Sequence, residues 1–398
     1  AITGTNGKTT CAYLLAQILH QLNKRVGLIG TIGYGEISKI LHNNNFNKLL
    51  NTTPDPILLQ SLLDNFNKQG IDHVVMEASS HALLQYRLTG INTETAIFTN
   101  LTHDHLDYHY TIENYYLAKR KLFFYNSVKN IVINLDDMYG LRLLKELLDT
   151  HPDINNKNII VYSMHQNILA EYGLQHENIQ ILSYYNNKIY YNNNSYELKT
   201  SLIGKFNLYN LLAVIGALLI NKYDITQILN CTVRLQPAPG RMEVFTLKKN
   251  QVRLIVDYAH TPDALQKTLM ALTEDVKHNN IWCIFGCGGD RDSSKRPEMA
   301  AVAVNYADKI IITDDNPRTE LPEKIIADIK KGIKSEDSHK LFAIINDRRE
   351  AIRTALSNAN EHDIIFIAGK GHEDYQIYGT EYLDYNERKF VSELTKDD

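Results

Sequence analysis

Residues 1–22, AITGTNGKTTCAYLLAQILHQL, set a glycine-rich turn from Gly4 to Thr9 directly before apolar residues at helical spacing from Thr10 to Leu22. The loop therefore opens a helix. In such a turn the glycines let backbone N–H groups converge on phosphate oxygens, Lys8 neutralises the terminal phosphates and Thr9 can hold magnesium. The spacing is G-x-x-G-K-T, shorter than the usual phosphate-loop pattern because Ile2 stands where a first glycine would. A plain turn is the competing reading, disfavoured by the polar tail and the helix together. Phosphate loops follow a buried strand, yet only Ala1, Ile2 and Thr3 precede this one. The expectation is a chain that begins inside a strand, its true start lost.

With 398 residues the chain is long enough for two or three domains. Hydrophobic residues at 44% and charged residues at 22% describe a globular protein. A net charge of -4, with no basic block, argues against nucleic acid as a partner. Cys11, Cys231, Cys283 and Cys287 form no C-x-x-C pair and are too few for a disulfide scaffold, which argues for a reducing compartment. No apolar run approaches a membrane span and no signal peptide stands at the start, so the cytoplasm is the expected location.

Short apolar runs recur with helices between them: RVGLIGTIG, DHVVMEA, TAIFTN, NIVIN and NIIVYS. That rhythm predicts an α/β domain with a mostly parallel sheet, a central phosphate-loop ATPase-like domain over residues 1–237. From Ile179 to Thr200 the text alternates and is punctuated by turns, which predicts antiparallel hairpins at the sheet edge. The asparagine runs there and in HNNNFNKLL (42–50) read as exposed turns without function. After the helix FNLYNLLAVIGALLI, the prolines and glycine of RLQPAPGRMEVF mark a domain boundary. VRLIVDYA, NIWCIFG, KIIITDD, KLFAIIN and DIIFIAG then alternate with helices and predict a C-terminal Rossmann-like α/β domain over 238–398. Ligands of such sheets sit beyond the carboxyl ends of the strands, and four polar motifs stand there: DYAHTPDAL, GCGGDRDSSKRP, TDDNPRTE and AGKGHEDYQ.

Glu77 ends a buried-strand pattern where a second metal ligand would lie opposite the loop, although a solvated strand-end glutamate is an open alternative. NLTHDHLDYH packs His103, Asp104, His105, Asp107 and His109 into seven residues. The zinc pattern H-x-H-x-D-H fails at its last position, where Tyr108 stands. A magnesium- or phosphate-facing role beside the loop fits better, against a polar helix-entry loop with incidental histidines.

Ten motifs in order, TGTNGKTT, NTTP, MEASSHALLQYR, FTNLTHDHLDYH, GKFNLYNLLA, RLQPAPGRMEVF, VDYAHTPDAL, FGCGGDRDSSKRPEMA, TDDNPRTE and AGKGHEDYQ, resemble the Mur ligases. These are the ATP-dependent amide ligases of peptidoglycan precursor synthesis, and the resemblance is greatest to the branch that adds the third amino acid. It implies a bacterial cytoplasmic monomer with small-molecule substrates, ATP and Mg2+. Gly4, Thr5, Asn6, Gly7, Lys8, Thr9 and Thr10 would hold the ATP phosphates, with Asn207, Arg241 and Asp257 around the nucleotide. Thr9 and Glu77 would hold one magnesium and His105 a second. Lys119, by itself a solvated helix lysine, matches a lysine that the family carbamylates into a metal ligand. Asn51, Thr52, Thr53, Ser79, Gln85 and Arg87 match residues that hold the uridine-linked muramoyl-alanyl-glutamate, although NTTP alone is a capped turn and Arg87 alone a surface charge. The family also carries an N-terminal uridine-binding domain that this text lacks.

DDNPR bears on the amino acid. The resemblance implies meso-diaminopimelate, held by Arg291, Asp315, Asn316, Pro317, Arg318, Gly369 and Glu373. Diaminopimelate is lysine with a second carboxylate at its far end, which a guanidinium can grip bidentately, and an unpaired arginine would penalise lysine. Glu373 suits an ammonium group. The rival readings are a folylpolyglutamate synthase, a zinc hydrolase built on the histidine cluster, and a non-catalytic nucleotide-binding remnant.

Overall fold

The two residues of β1 (Ile2–Thr3) are fully buried and pair in parallel with a second run of apolar residues, Thr95–Phe98, so the phosphate loop does leave a buried strand. In a computed structural model the described residues are 1–43, 46–166, 168–173 and 176–396. The chain divides into two compact units, Ala1–Leu202 with Phe206–Gln236, and Ile203–Lys205 with Pro237–Asp398.

In the first unit β1 is followed by β2 (Val26–Gly30), β3 (Gly33–Glu36), β4 (His73–Met76), β5 (Thr95–Phe98), β6 (Asn130–Asn134), β7 (Asn158–Ser163), β8 (Ile179–Tyr185), β9 (Lys188–Tyr191) and β10 (Asn194–Glu197). One sheet runs β1-β5-β6-β7-β8-β9-β10 and a smaller one β3-β2-β4. The bridge from Ile2 to Glu77 joins them, with the Ala78 N–H donating to the Ile2 carbonyl at 2.8 Å. The expected antiparallel hairpins at the sheet edge are present: β9 pairs antiparallel with β8 on one side and β10 on the other, while β8 also pairs in parallel with β7. Its turns explain the asparagines. Asn186–Asn187 and Asn192–Asn193 are two-residue loops with positive φ throughout, a geometry that asparagine tolerates and that matches strand twist. Asn44 and Asn45 of the other run lie outside the described residues.

The sequence pattern missed the antiparallel β2–β3 hairpin. RVGLIGTIG reads as one run, but the chain turns back at Thr31–Ile32, between the paired Gly30 and Gly33, the latter at φ 116°. The first helix, Lys8–Gln21, starts two residues earlier than its apolar stripe because the left-handed Gly7, φ 87°, is its N-cap. Lys205–Ile220 is apolar on every side and buried accordingly from Leu211 to Ile220.

The second unit contains β11 (Glu243–Thr246), β12 (Arg253–Asp257), β13 (Ile281–Phe285), β14 (Lys309–Ile312), β15 (Leu341–Ile344) and β16 (Ile364–Ala368) in the order β11-β12-β16-β13-β14-β15. The five expected strands are parallel, and β11 adds an antiparallel edge. A separate hairpin of β17 (Tyr375–Tyr378) and β18 (Glu381–Asp384) follows the last parallel strand. Because β12, β13, β14 and β16 are parallel, the segments 257–260, 286–291, 313–318 and 369–373 leave the sheet at one edge. Among the described residues no helix is long and apolar enough to cross a membrane.

Candidate active site

The phosphate loop is shaped by close packing. A Cβ on Gly4 would lie 1.9 Å from Thr99 Oγ1, and one on Gly7 would lie 2.3 Å from Asn210 Oδ1. Gly4 (φ 152°) and Gly7 (φ 87°) also adopt backbone angles that side chains disfavour. Thr5 N–H donates to the Asn100 carbonyl at 2.8 Å, and Asn6 N–H donates to Asn100 Oδ1 at 2.9 Å. Lys8 Nζ folds back on the Gly4 and Thr5 carbonyls at 2.9 and 2.8 Å. Thr10 is buried in the first turn, and Asn207 lies behind the loop, accepting from Asn210 Nδ2 at 3.3 Å.

Glu77 is 1% exposed, which removes the solvated strand-end alternative. Its carboxylate accepts from Thr9 Oγ1 at 3.0 Å, from Thr31 N–H at 2.8 Å and from Thr31 Oγ1 at 3.1 Å. Gly30 is the floor beneath it, since a Cβ there would sit 2.3 Å from Glu77 Oε1. Thr9 and Glu77, expected to share a magnesium, are thus brought within hydrogen-bonding distance. Thr31 went unnoticed in the sequence because a lone threonine after a strand carries no motif.

Lys119 is likewise buried, at 1% exposure, against the solvated helix position that its sequence suggests. Nζ donates to the Gly4 carbonyl at 2.7 Å and lies 4.4 Å from the centre of the Tyr115 ring. Burial, aided by the charge of Lys8, pushes its ammonium well below the usual lysine range. Tyr115 links this group to its neighbours. Its OH lies 3.2 Å from Thr5 Oγ1, and its ring is 6.0 Å edge-on from that of His105. His105 itself is a left-handed residue, φ 53°, whose Nε2 is 3.5 Å from Asp104 Oδ2. His81, absent from the sequence candidates, stands 5.1 Å from His105 and 5.4 Å from His109, ring to ring. Among the described residues no three His, Cys, Asp or Glu side chains form a metal-holding group.

His109 is buried and its Nε2 lies 2.9 Å from Ser80 Oγ. Burial lowers its pKa from 6.5 to about 4. Between those values the unfolded chain takes up a proton that the folded chain refuses, so stability is full above 6.5 and declines as pH falls towards 4. Urea midpoints measured across that range should fall for the wild type and stay flatter for His109→Gln; equal slopes would contradict this.

Thr53, Ser79, Gln85 and Arg87 form one hydrogen-bonded group. Thr53 Oγ1 donates to the Glu77 carbonyl at 2.8 Å and accepts from Ser79 N–H at 3.0 Å. Arg87 donates from Nη1 to the Thr53 carbonyl at 2.8 Å and from Nε to Gln85 Oε1 at 2.9 Å, which is more than a free surface charge does. Thr52 Oγ1 is 3.0 Å from Thr31 Oγ1, while Asn51 is exposed on the preceding loop.

In the second unit, Asp257 ends β12 and accepts from the Met242 and Ala259 N–H groups, both at 2.8 Å. Burial raises its pKa. Arg241 lies 4.5 Å from the Tyr258 ring centre, and its Nε is buried without a hydrogen-bond partner, as is His372 Nδ1. Asp315, Asn316 and Pro317 are buried after β14. Arg318 is left-handed at φ 54°; its N–H donates to the Ile377 carbonyl at 3.0 Å and its Nη1 to the Gly289 carbonyl at 2.8 Å. A Cβ on Gly369, φ 111°, would be 3.0 Å from Asp315 Oδ2, whereas Arg291 is exposed. Glu373 Oε2 already accepts from Asn316 Nδ2 at 3.1 Å and from Lys370 Nζ at 2.6 Å. Lys370, fully buried, also donates to Asn316 Oδ1 at 2.9 Å. The sequence reading passed over this lysine because it sits inside a glycine-rich motif.

The family model for the Mur ligase middle domain matches residues 2–218, and that for the Mur ligase glutamate ligase domain matches 240–371. A Haemophilus influenzae protein (strain 86-028NP), UDP-N-acetylmuramoyl-L-alanyl-D-glutamate–2,6-diaminopimelate ligase, is 42% identical over 398 residues, 99% of this chain and 78% of its own length. A solved structure of a ligase with that name is 38% identical with a TM-score of 0.67, covering 100% of this chain and 77% of the other. E. coli FolC with ADP reaches the same TM-score at 15% identity, covering 100% of this chain and 88% of its own, a likeness of fold alone.

Proposed function

The chain belongs to the Mur ligase family, and on that premise we propose that it joins meso-2,6-diaminopimelate to UDP-N-acetylmuramoyl-L-alanyl-D-glutamate in peptidoglycan precursor synthesis, using ATP. The carrying observation is the 42% identity, across 99% of the chain, to a relative with that name. Amide formation from a free carboxylate is uphill in water. The acceptor carboxylate is first phosphorylated, and the amine of the incoming amino acid then displaces phosphate from the acyl phosphate. Such a reaction gains most from positioning and charge neutralisation.

The residues fit ATP and a divalent ion. Gly4 and Gly7 leave room where side chains would close the loop, and Lys8 brings a cation to it. Thr9 and Glu77 supply paired oxygen donors of the kind magnesium prefers, and the ion when bound would neutralise phosphate charge. Arg241 Nε, a buried orphan donor in the second unit, suits an anionic or polar nucleotide group. Thr53, Ser79, Gln85 and Arg87 would orient the acceptor, whose carboxylates match an arginine fork. Arg318 would bind the far carboxylate of diaminopimelate, with Asn316 and Glu373 near its ammonium end. The reaction belongs in the bacterial cytoplasm, where a monomer would meet these soluble substrates.

Lys119 would serve as a carbamate. A buried amine kept neutral can attack CO2, forming an N–C bond and releasing its proton, and the product is an anionic metal ligand. Protein incubated with 13C-bicarbonate should show a carbamate carbon resonance that vanishes in Lys119→Arg; the same spectrum in both would refute the assignment.

Product analysis tests the whole reading. Wild-type chain given ATP, the muramoyl dipeptide and an equimolar mixture of diaminopimelate, lysine and glutamate should yield the diaminopimelate tripeptide by mass spectrometry. A parallel reaction with a folate in place of the muramoyl dipeptide should give no product; glutamate addition to that folate would favour the synthase reading.

A further inference from the structure

Thr31 Oγ1 has one proton and two neighbours. It lies 3.1 Å from Glu77 Oε2, a carboxylate oxygen that only accepts, and 3.0 Å from Thr52 Oγ1. The proton of Thr31 therefore goes to Glu77, and the proton of Thr52 must go to Thr31. The Thr31 backbone N–H adds a second bond to the same carboxylate at 2.8 Å, so one residue grips both oxygens of Glu77. Thr9 Oγ1 completes the set from the phosphate loop at 3.0 Å.

We propose that Thr31 is a positioning residue that couples the Thr9–Glu77 metal-holding pair to the acceptor-binding loop at Thr52, through one directed line of hydroxyl hydrogen bonds. The inference rests on the ligase reading above and on the family resemblance that places Thr52 among the acceptor-binding residues. It also fixes the polarity of that contact. With its own proton committed to Thr31, Thr52 offers the substrate only lone pairs, so the group that meets it is an N–H or O–H donor, such as a peptide amide. A metal that draws Glu77 into place thereby also sets the orientation of Thr52.

The test uses the full chain with a non-hydrolysable ATP analogue, Mn2+ as a spin probe of the divalent site, and calorimetry with the muramoyl dipeptide nucleotide. Thr31→Val should weaken both Mn2+ and the acceptor by about five-fold, the worth of one hydrogen bond, and Thr31→Ser should restore both. Thr31→Ala should give the same pattern if valine is not accommodated. Thr52→Val should weaken the acceptor while leaving Mn2+ close to wild type. In the double variant the acceptor should bind no more weakly than to Thr52→Val, because Thr31 acts on it through Thr52. Wild-type affinities in Thr31→Val and Thr31→Ala, or strictly additive losses in the double variant, would overturn the coupling. A wild-type chain that binds no acceptor would instead overturn the ligase reading and this inference with it.

Discussion

Replacing Arg318 with alanine is expected to lower kcat/KM for diaminopimelate by about 100- to 1,000-fold, the worth of a charge-assisted, two-point carboxylate contact, while the KM for ATP stays unchanged. Arg318 is held by its backbone: its N–H donates to the Ile377 carbonyl, and its own carbonyl accepts from Gly379 N–H at 2.7 Å. Among the described residues the hydrogen bonds of its guanidinium all run through Nη1, to Gly289 O at 2.8 Å and Asn316 O at 3.5 Å. The Nε and Nη2 edge is left for a carboxylate. Removing the fork leaves the far carboxylate of the substrate unmatched, and Arg318→Lys should recover little, since an ammonium restores the charge without the planar pair of donors. Because alanine also removes the penalty of leaving the guanidinium unmatched against a chain end that carries only an ammonium, the ratio of lysine to diaminopimelate use should rise. Steady-state kinetics with both amino acids decide it; undiminished diaminopimelate kinetics would reject the assignment of this residue.

The second large effect is expected at Glu77. Glu77→Gln preserves shape but turns an acceptor of three hydrogen bonds into a side chain with one acceptor oxygen and a donor amide facing Thr9 and Thr31. It also removes the negative charge that a divalent ion requires. A loss of about 100-fold or more in kcat is expected, on the scale of removing one electrostatic element from a phosphoryl-transfer site. Mn2+ affinity should fall in parallel, and raising the metal concentration should recover part of the rate. A kcat within threefold of wild type at ordinary magnesium would show that Glu77 holds the loop and not the ion.

Much of this arrangement was legible in the sequence, for a physical reason. Phosphate loops need glycine where backbone must approach closely, and the two glycines that frame this one, Gly4 and Gly7, both prove to be positions where a Cβ would collide. Parallel strands buried on both faces read as short apolar runs, so in the second unit their number and the position of their carboxyl ends followed directly. What escaped was set by tertiary contact. Lys119 looks like any helix lysine until the fold encloses it beneath the Gly4 carbonyl. Thr31 and Lys370 act through partners 46 and 54 residues away in the chain, Glu77 and Asn316, and no local pattern announces such a pairing. The β2–β3 hairpin was hidden because its two-residue turn, Thr31–Ile32, lies inside an apolar run without the usual asparagine or glycine at its centre.

Phosphate release from ATP distinguishes an acyl-phosphate ligase from a passive nucleotide binder when it is followed on this chain with the muramoyl dipeptide and diaminopimelate supplied together and each withheld in turn. An acyl-phosphate ligase requires release with both present, in step with tripeptide formation, and only background when either is absent. Release that ignores the amino acid and the dipeptide, or no release with both present, would contradict it.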